Sequence, residues 1–251
     1  HGEGPCLVLA GAGSGKTRVI TYRVAYLLEN GVDPQNILLV TFTNKAADEM
    51  IRRVQILTGS PERLPWAGTF HHIAYRILRQ YAQLLGFKNN FSVLDSDDSE
   101  SLVKLCAKNY KVEGEGKKFP SARVLQSVIS YARNSEESIA GVLELRYPQW
   151  VVFSEQIKSI SDEYYLKKKE ANAMDFDDLL VNFLKLLGGS SALSSRAERS
   201  EVEGSLTPDE RDSSASSADF GRNDILKRLS EQFKYVLVDE YQDTNKIQAS
   251  I

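Results

Sequence analysis

Short apolar runs alternate with amphipathic stretches over the first third of the chain. Cys6-Leu7-Val8-Leu9-Ala10 is an unbroken apolar run ending in Gly11-Ala12-Gly13-Ser14-Gly15, which predicts a buried strand followed by a tight turn. From Lys16 to about Glu29, Val19, Ile20, Val24, Leu27 and Leu28 recur at helical spacing, and Asn30-Gly31 supplies a C-terminal stop. Ile37–Thr41 predicts a second buried strand, Asn44–Leu57 a second helix, Trp66–Phe70 a third short strand and His71–Leu85 a third helix. Strands alternating with helices imply a parallel sheet with right-handed crossovers.

From about Ser92 the pattern becomes helical. Segments Asp97–Asn109, Ser121–Arg133, Ser138–Arg146, Trp150–Ala171 and Asp175–Leu187 follow one another, the last with Asp175 as its N-cap, and no strand pattern of comparable strength interrupts them. Tyr235-Val236-Leu237-Val238-Asp239 then returns to a buried-strand run that belongs with the first sheet. The expected organisation is an α/β domain split between residues 1–90 and 173–251, interrupted by an all-helical subdomain at 91–172. Residues 188–221 hold ten serines and almost no large apolar side chain, too little to offset the entropy of ordering, and are expected to form a disordered loop.

Composition changes this picture in two places. The 251 residues carry 31 Lys+Arg against 34 Asp+Glu, a net charge of −3, with 42% hydrophobic residues: a globular balance whose overall sign argues against a nucleic-acid partner. The serine-rich stretch alone carries seven acids and three bases, a net −4, which leaves the remainder at +1 and removes that objection. Cys6 and Cys106 have no metal-ligand or disulfide-framework spacing, so a reducing, intracellular setting is the default. No apolar run approaches the roughly 20 residues that span a bilayer, so no membrane partner is expected. A start at His1 and an end at Ile251 suggest a piece of a longer protein.

Two motifs carry chemistry. Ala12-Gly13-Ser14-Gly15-Lys16-Thr17, after a predicted strand and opening a helix, has the form of a phosphate-binding loop. Its glycines let backbone N–H groups turn onto a phosphate, the helix N-terminus adds a positive dipole, Lys16 reaches the β- and γ-phosphates, and Thr17 offers a hydroxyl to Mg²⁺. The usual pattern has Gly six positions before the lysine, where this chain has Ala10. Asp239-Glu240, at the end of the last strand run, supplies a carboxylate for Mg²⁺ and a neighbour to activate water. Adjacent acids alone are most often merely solvated; the preceding strand and the upstream loop argue for a site.

Ala10-Gly11-Ala12-Gly13-Ser14-Gly15-Lys16-Thr17, Thr41-Phe42-Thr43-Asn44-Lys45-Ala46-Ala47, Gly68-Thr69-Phe70-His71 and Val238-Asp239-Glu240-Tyr241-Gln242-Asp243-Thr244-Asn245 resemble, in order and spacing, the successive motifs of UvrD/Rep/PcrA-type helicases of superfamily one. In that family Ala is usual at position 10. The resemblance covers the chain outside the serine-rich stretch.

It implies a RecA-like P-loop fold with an inserted helical subdomain, and ATP hydrolysis coupled to 3′-to-5′ movement on single-stranded DNA in repair, replication or recombination. Ala10 to Thr17 would hold ATP, with Arg18 packing against adenine. Thr17 and Asp239 would hold Mg²⁺, Glu240 would be the catalytic base, and Gln242 would sense the γ-phosphate. Phe42, Thr43, Asn44 and Lys45, with Phe70 and His71, would line the track for single-stranded DNA and its junctions with duplex; an aromatic under a base contributes about 1–3 kcal/mol whatever the sequence. Phe42 taken alone would equally suit a core aromatic at a strand end. His72 stands where the family commonly has Ser and is expected on the helix surface. The basic stretches Lys117-Lys118 to Arg123 and Lys167-Lys168-Lys169 lie in the insert, which contacts DNA in relatives, although a charge run is ordinarily a solvated helix face. In Met174–Leu180, Asp175 reads as a cap and Phe176, Leu179 and Leu180 as packing. The resemblance also implies a second RecA-like domain outside this chain, together with arginines that act on the γ-phosphate and an adenine-recognising glutamine, so little unwinding is expected of these residues alone. The rival readings are a non-motor nucleotide- and DNA-binding module and the helicase arm of a RecB/AddA-type nuclease complex.

Overall fold

The computed structural model describes residues 4–11, 13–59, 61, 64–110, 118–188 and 224–251. In chain order the regular elements are α1 (Lys16–Glu29), β1 (Ile37–Thr41), α2 (Asn44–Thr58), β2 (Ala67–Thr69), α3 (Phe70–Tyr81), β3 (Ser92–Val93) and α4 (Ser96–Cys106). They continue with α5 (Ala122–Ser135), α6 (Ile139–Arg146), α7 (Ser154–Glu170), β4 (Ala173–Met174), α8 (Phe176–Leu186), α9 (residues 224–232), β5 (Tyr235–Val238) and α10 (Lys246–Ser250). The chain falls into two compact units, His1–Ile73 with Arg228–Asp243 and Ala74–Lys227 with Thr244–Ile251. The expected serine-rich loop at 188–221 lies, apart from Gly188, outside the described residues.

The first unit is the α/β one. Its sheet runs β2-β1-β5, parallel throughout, with Leu39 opposite Ala67 and Ile37 opposite Tyr235. The central strand β1 buries Ile37, Leu39, Val40 and Thr41, the near-continuous apolar pattern of a parallel strand covered on both faces. Val24 and Leu27 of α1 and Met50 and Val54 of α2 pack with Ile37, Leu39 and Leu64 into one core. Helix α1 stops where the sequence predicts, with Asn30 Nδ2 donating to the Tyr26 carbonyl at 2.7 Å. Trp66 and Phe233, which lead into β2 and β5, meet edge to face with centroids 5.2 Å apart.

Two strand expectations need correction. Cys6–Ala10 forms no ladder, and its apolar side chains are out in solvent, Leu9 at 86% exposure. The apolar run has the composition of a strand, but a strand exists only through a neighbour's hydrogen bonds, and among the described residues none is supplied. β5 forms as predicted yet is not fully buried: among the described residues only β1 lies beside it, which makes it an edge, and Val236 is 58% exposed.

The second unit is mainly helical. Val103, Leu125, Val128, Val142, Leu143, Ile157 and Ile160, from α4 to α7, build its core. A two-residue parallel pairing of β3 with β4, Ser92 opposite Ala173 and Val93 opposite Met174, brings the beginning and end of the predicted insert together. Its strands are too short to leave a period in the sequence. Cys6 and Cys106 are both free. Among the described residues no helix is long and apolar enough to cross a membrane.

The sequence also misassigns two side chains here. Phe176 lies outside the core at 50% exposure, whereas Leu179 and Leu180 are buried as expected. Lys168, inside the basic run of α7, is not on a solvated face: it is 1% exposed, and its ammonium lies 2.5 Å from both Asp175 and Asp178. Asp175 caps α8 by accepting from the Asp178 N–H, and Asp178 returns the bond to the Asp175 N–H, a reciprocal capping box. Arg133 completes the cluster 2.6 Å from Asp178, and the Tyr164 hydroxyl donates to Asp175 at 2.8 Å. Helical spacing cannot show that one member of a lysine run turns inward toward acids that follow the helix.

Burial alone would raise the Asp175 carboxyl, but the charges of Lys168 and Arg133 and the bonds from Lys168 and the Asp178 N–H outweigh it and hold the group well below the usual carboxylate range. A carboxyl held lower in the folded than in the unfolded chain stabilises the fold above its unfolded value of about 3.9, and that contribution is lost as pH falls toward the folded value. Lys168→Met, which removes the ammonium bridging two buried carboxylates, is expected to cost about 3 kcal/mol in urea unfolding at neutral pH, and the gap from the unsubstituted chain should narrow in acid.

Candidate active site

The three parallel strands of the first unit end at one edge, and the predicted site residues follow directly from those ends. Phe42 to Lys45 follow β1, Phe70 and His71 follow β2, and Asp239 to Gln242 follow β5. Ligands of open α/β sheets bind at the carboxyl ends of the strands. The Asp239 N–H donates to the Val40 carbonyl at 2.9 Å, so the β5 ladder fixes the position of Asp239 beside the end of β1.

The glycine-rich turn delivers the N-terminus of α1 to the same place. Ser14 folds back on it, its hydroxyl donating to the Gly11 carbonyl at 2.6 Å. Gly15 is the N-cap, with φ of 93°, a backbone conformation L side chains rarely adopt. Ala12 lies outside the described residues. The Lys16 ammonium donates to the Ala10 carbonyl at 3.3 Å and lies 3.6 Å from the Glu240 carboxylate. Arg18 sits over the Tyr22 ring, 5.3 Å from its centroid, and donates to the Tyr22 hydroxyl at 3.3 Å. Tyr22 was not among the residues read from sequence, although its position one turn beyond Arg18 is the spacing at which helical side chains meet.

The decisive contact joins the two motifs. Thr17 Oγ1 donates to Asp239 Oδ2 at 3.1 Å. Asp239 is 4% exposed, and its other oxygen, Oδ1, is buried without a hydrogen-bond partner among the described residues. A buried, unsatisfied carboxylate oxygen is costly, and a hard cation is the partner that would satisfy it. The donor set fits Mg²⁺, which binds through one or two protein oxygens and takes the remainder of its shell from phosphates and water. Among the described residues no cluster of three or more His, Cys, Asp or Glu could hold a metal ion by itself.

Glu240 follows with φ of 52°, a left-handed backbone unusual for a side chain of its size, in a turn closed by the Asp243 N–H on the Glu240 carbonyl at 2.9 Å. Its carboxylate accepts from the Gln242 amide. That bond, with the charge of and a bond from Lys16, outweighs what little burial it has and lowers the Glu240 carboxyl below its ordinary value. Glu240 is therefore ionised at neutral pH, the state a base requires.

The predicted track residues divide by role. Phe42 is half-buried and meets the buried Phe70 edge to face, with centroids 5.8 Å apart. Thr43 accepts from the Ala46 N–H at 3.1 Å and so caps α2, while Asn44 and Lys45 are exposed on its first turn. His71 is half-buried and His72 exposed, as expected of the latter. Gly68 has a steric reason to be glycine: an added Cβ would come 3.0 Å from the His72 ring.

The family described as UvrD/REP helicase N-terminal domain matches residues 1–251. Proteins named ATP-dependent DNA helicase PcrA, from Staphylococcus aureus and Staphylococcus epidermidis, are 36% and 35% identical to the chain over 250 and 256 aligned residues. Each match covers 99% of this chain and 29% of the relative, so the chain spans less than a third of their length.

The Thr43 cap gives a test of the local geometry. Thr43→Ala should lower stability by about 1 kcal/mol, and Thr43→Ser should restore most of the loss, as read by urea unfolding.

Proposed function

Because this chain belongs to the UvrD/REP helicase N-terminal domain family, we propose that it is the ATP-binding portion of a DNA helicase, in which ATP hydrolysis drives 3′-to-5′ movement along single-stranded DNA. The observation that carries this reading is the pairing of Thr17 with Asp239 at 3.1 Å, beside an unsatisfied Asp239 oxygen and an ionised Glu240. A phosphate loop without a matching carboxylate would suit a binder; the two together suit hydrolysis.

Each side chain then has a task. The N–H groups of Gly13 to Thr17 at the start of α1 receive the β-phosphate, aided by the helix dipole. Lys16, now held between the Ala10 carbonyl and Glu240, has the reach to exchange these partners for the β- and γ-phosphates. Thr17 and Asp239 would hold Mg²⁺, which offsets the phosphate charge when bound. Glu240 orients the attacking water and takes its proton, and Gln242, bonded to Glu240, is placed to register whether the γ-phosphate is present. Arg18 and Tyr22 offer a flat cationic and aromatic surface for adenine. Phe42 with Asn44 and Lys45, beside Phe70 and His71, lines the DNA track, with stacking rather than base-edge recognition as its source of affinity. A second RecA-like domain completes the motor, and the arginines it would contribute account for factors of about 10³–10⁵ in rate.

The chain should bind Mg²⁺-ATP with little unwinding of its own. Lys16→Ala should weaken binding of a fluorescent ATP analogue by about tenfold or more, the equivalent of one charge-assisted bond. Glu240→Gln should leave binding within about twofold, because Glu240 acts on water rather than on nucleotide, while abolishing residual hydrolysis. Since the Glu240 carboxyl is lowered, any hydrolysis should hold steady from neutral pH down through the ordinary glutamate range and decline only below it. Equal binding and equal turnover in both variants would contradict the assigned site.

A further inference from the structure

The chain passes from the α/β unit to the helical unit between Asp243 and Thr244, immediately after the Glu240–Gln242 turn. Asn245 anchors it there and uses both ends of its amide. Its Oδ1 accepts from the Gln248 N–H at 2.8 Å and caps α10, while Gln248 Oε1 accepts from the Asn245 N–H at 3.0 Å. Its Nδ2 donates to Asn134 Oδ1 on α5, 3.1 Å away and 111 residues earlier in sequence. Asn134 is engaged in the same sense: its Nδ2 donates to Asp177 Oδ1 at 2.7 Å and to the Ser130 carbonyl at 3.0 Å. Asp177 lies in the first turn of α8. Ile247, fully buried, and Lys246, 3.0 Å from Glu136, hold the rest of α10.

The order of donors and acceptors is dictated from one end. The Asp177 carboxylate accepts, so Asn134 must turn its N–H groups toward Asp177 and its carbonyl toward position 245. Residue 245 must then donate, while also accepting from Gln248 to cap α10. An amide satisfies both demands; an aspartate would cap α10 equally well but has no proton to give.

We infer that Asn245, Asn134 and Asp177 form a positioning relay: they fix the chain three residues beyond Gln242 to α5 and α8, so that a change at Gln242 on nucleotide binding is felt in those helices. This rests on the reading of Glu240 and Gln242 as the hydrolytic centre. Asn134 and Asn245 are positioning residues and touch neither nucleotide nor water at the site.

The test measures amide hydrogen exchange of the 251-residue chain with and without Mg²⁺ and the slowly hydrolysed analogue ATPγS. In the unsubstituted chain, nucleotide should slow exchange in Ala122–Ser135 and Phe176–Leu186 by about fivefold or more, the lower end of ordinary coupling between sites. Asn245→Asp, which keeps the α10 cap, should bind ATPγS within about twofold of the unsubstituted chain but lose that slowing. Asn134→Leu, which breaks the relay without touching the cap, should do the same and decides the matter if Asn245→Asp fails to fold. Slowing that persists in either folded variant, or binding to the unsubstituted chain with no slowing in α5 and α8, overturns the relay alone. Failure of the unsubstituted chain to bind ATPγS overturns the hydrolytic reading, and the relay with it.

Discussion

One hydrogen bond organises the α/β unit: that between Thr17 and Asp239, residues 222 apart in sequence. It requires that α1 begin at the glycine turn and that β5 lie beside β1, so sheet order and loop geometry both serve it. Closing so long a loop is less demanding than it looks, because the entropic cost grows only with the logarithm of length, about 0.6 kcal/mol per doubling. A helical unit and a long serine-rich segment can therefore lie between the two motifs without weakening their meeting.

Most of the architecture was legible because it is written locally. The boundaries of α1 and α2, the Asp175 cap and strands β1 and β5 follow from periodicity and terminal residues, and the candidate site residues lie on motifs whose spacing matches a parallel sheet. What could not be read depends on neighbours. Cys6–Ala10 and Tyr235–Val238 have similar composition, yet among the described residues only the second finds a partner strand. Lys167, Lys168 and Lys169 are equivalent letters in one run, but the helical turn sends Lys168 alone to Asp175 and Asp178. Thr43, expected along the DNA track, caps α2, and Asn245, at the end of a motif, is bonded at both ends of its amide.

Two kinds of polar chemistry serve different ends in the two units. In the helical unit the buried Lys168, Asp175 and Asp178, with the half-buried Arg133, are closely ion-paired, which gives rigidity around the start of α8. In the α/β unit the polar groups are exposed or incompletely paired: Lys16 holds a distant carboxylate and Asp239 keeps a free oxygen. Groups that must change partners in a reaction cycle cannot be locked in advance, whereas groups that orient a helix gain from being so.

Glu240 shows where those demands collide. Its backbone lies in the left-handed region, where glycine, asparagine and aspartate are at ease and a longer side chain is not. For the base proposed at this position, glycine brings no carboxylate, asparagine no charge, and aspartate falls one methylene short of glutamate's reach. Every replacement that relaxes the backbone thus gives up part of the chemistry. Under that proposed role, selection for stability and selection for turnover pull position 240 in opposite directions, and the strain lasts as long as the activity does.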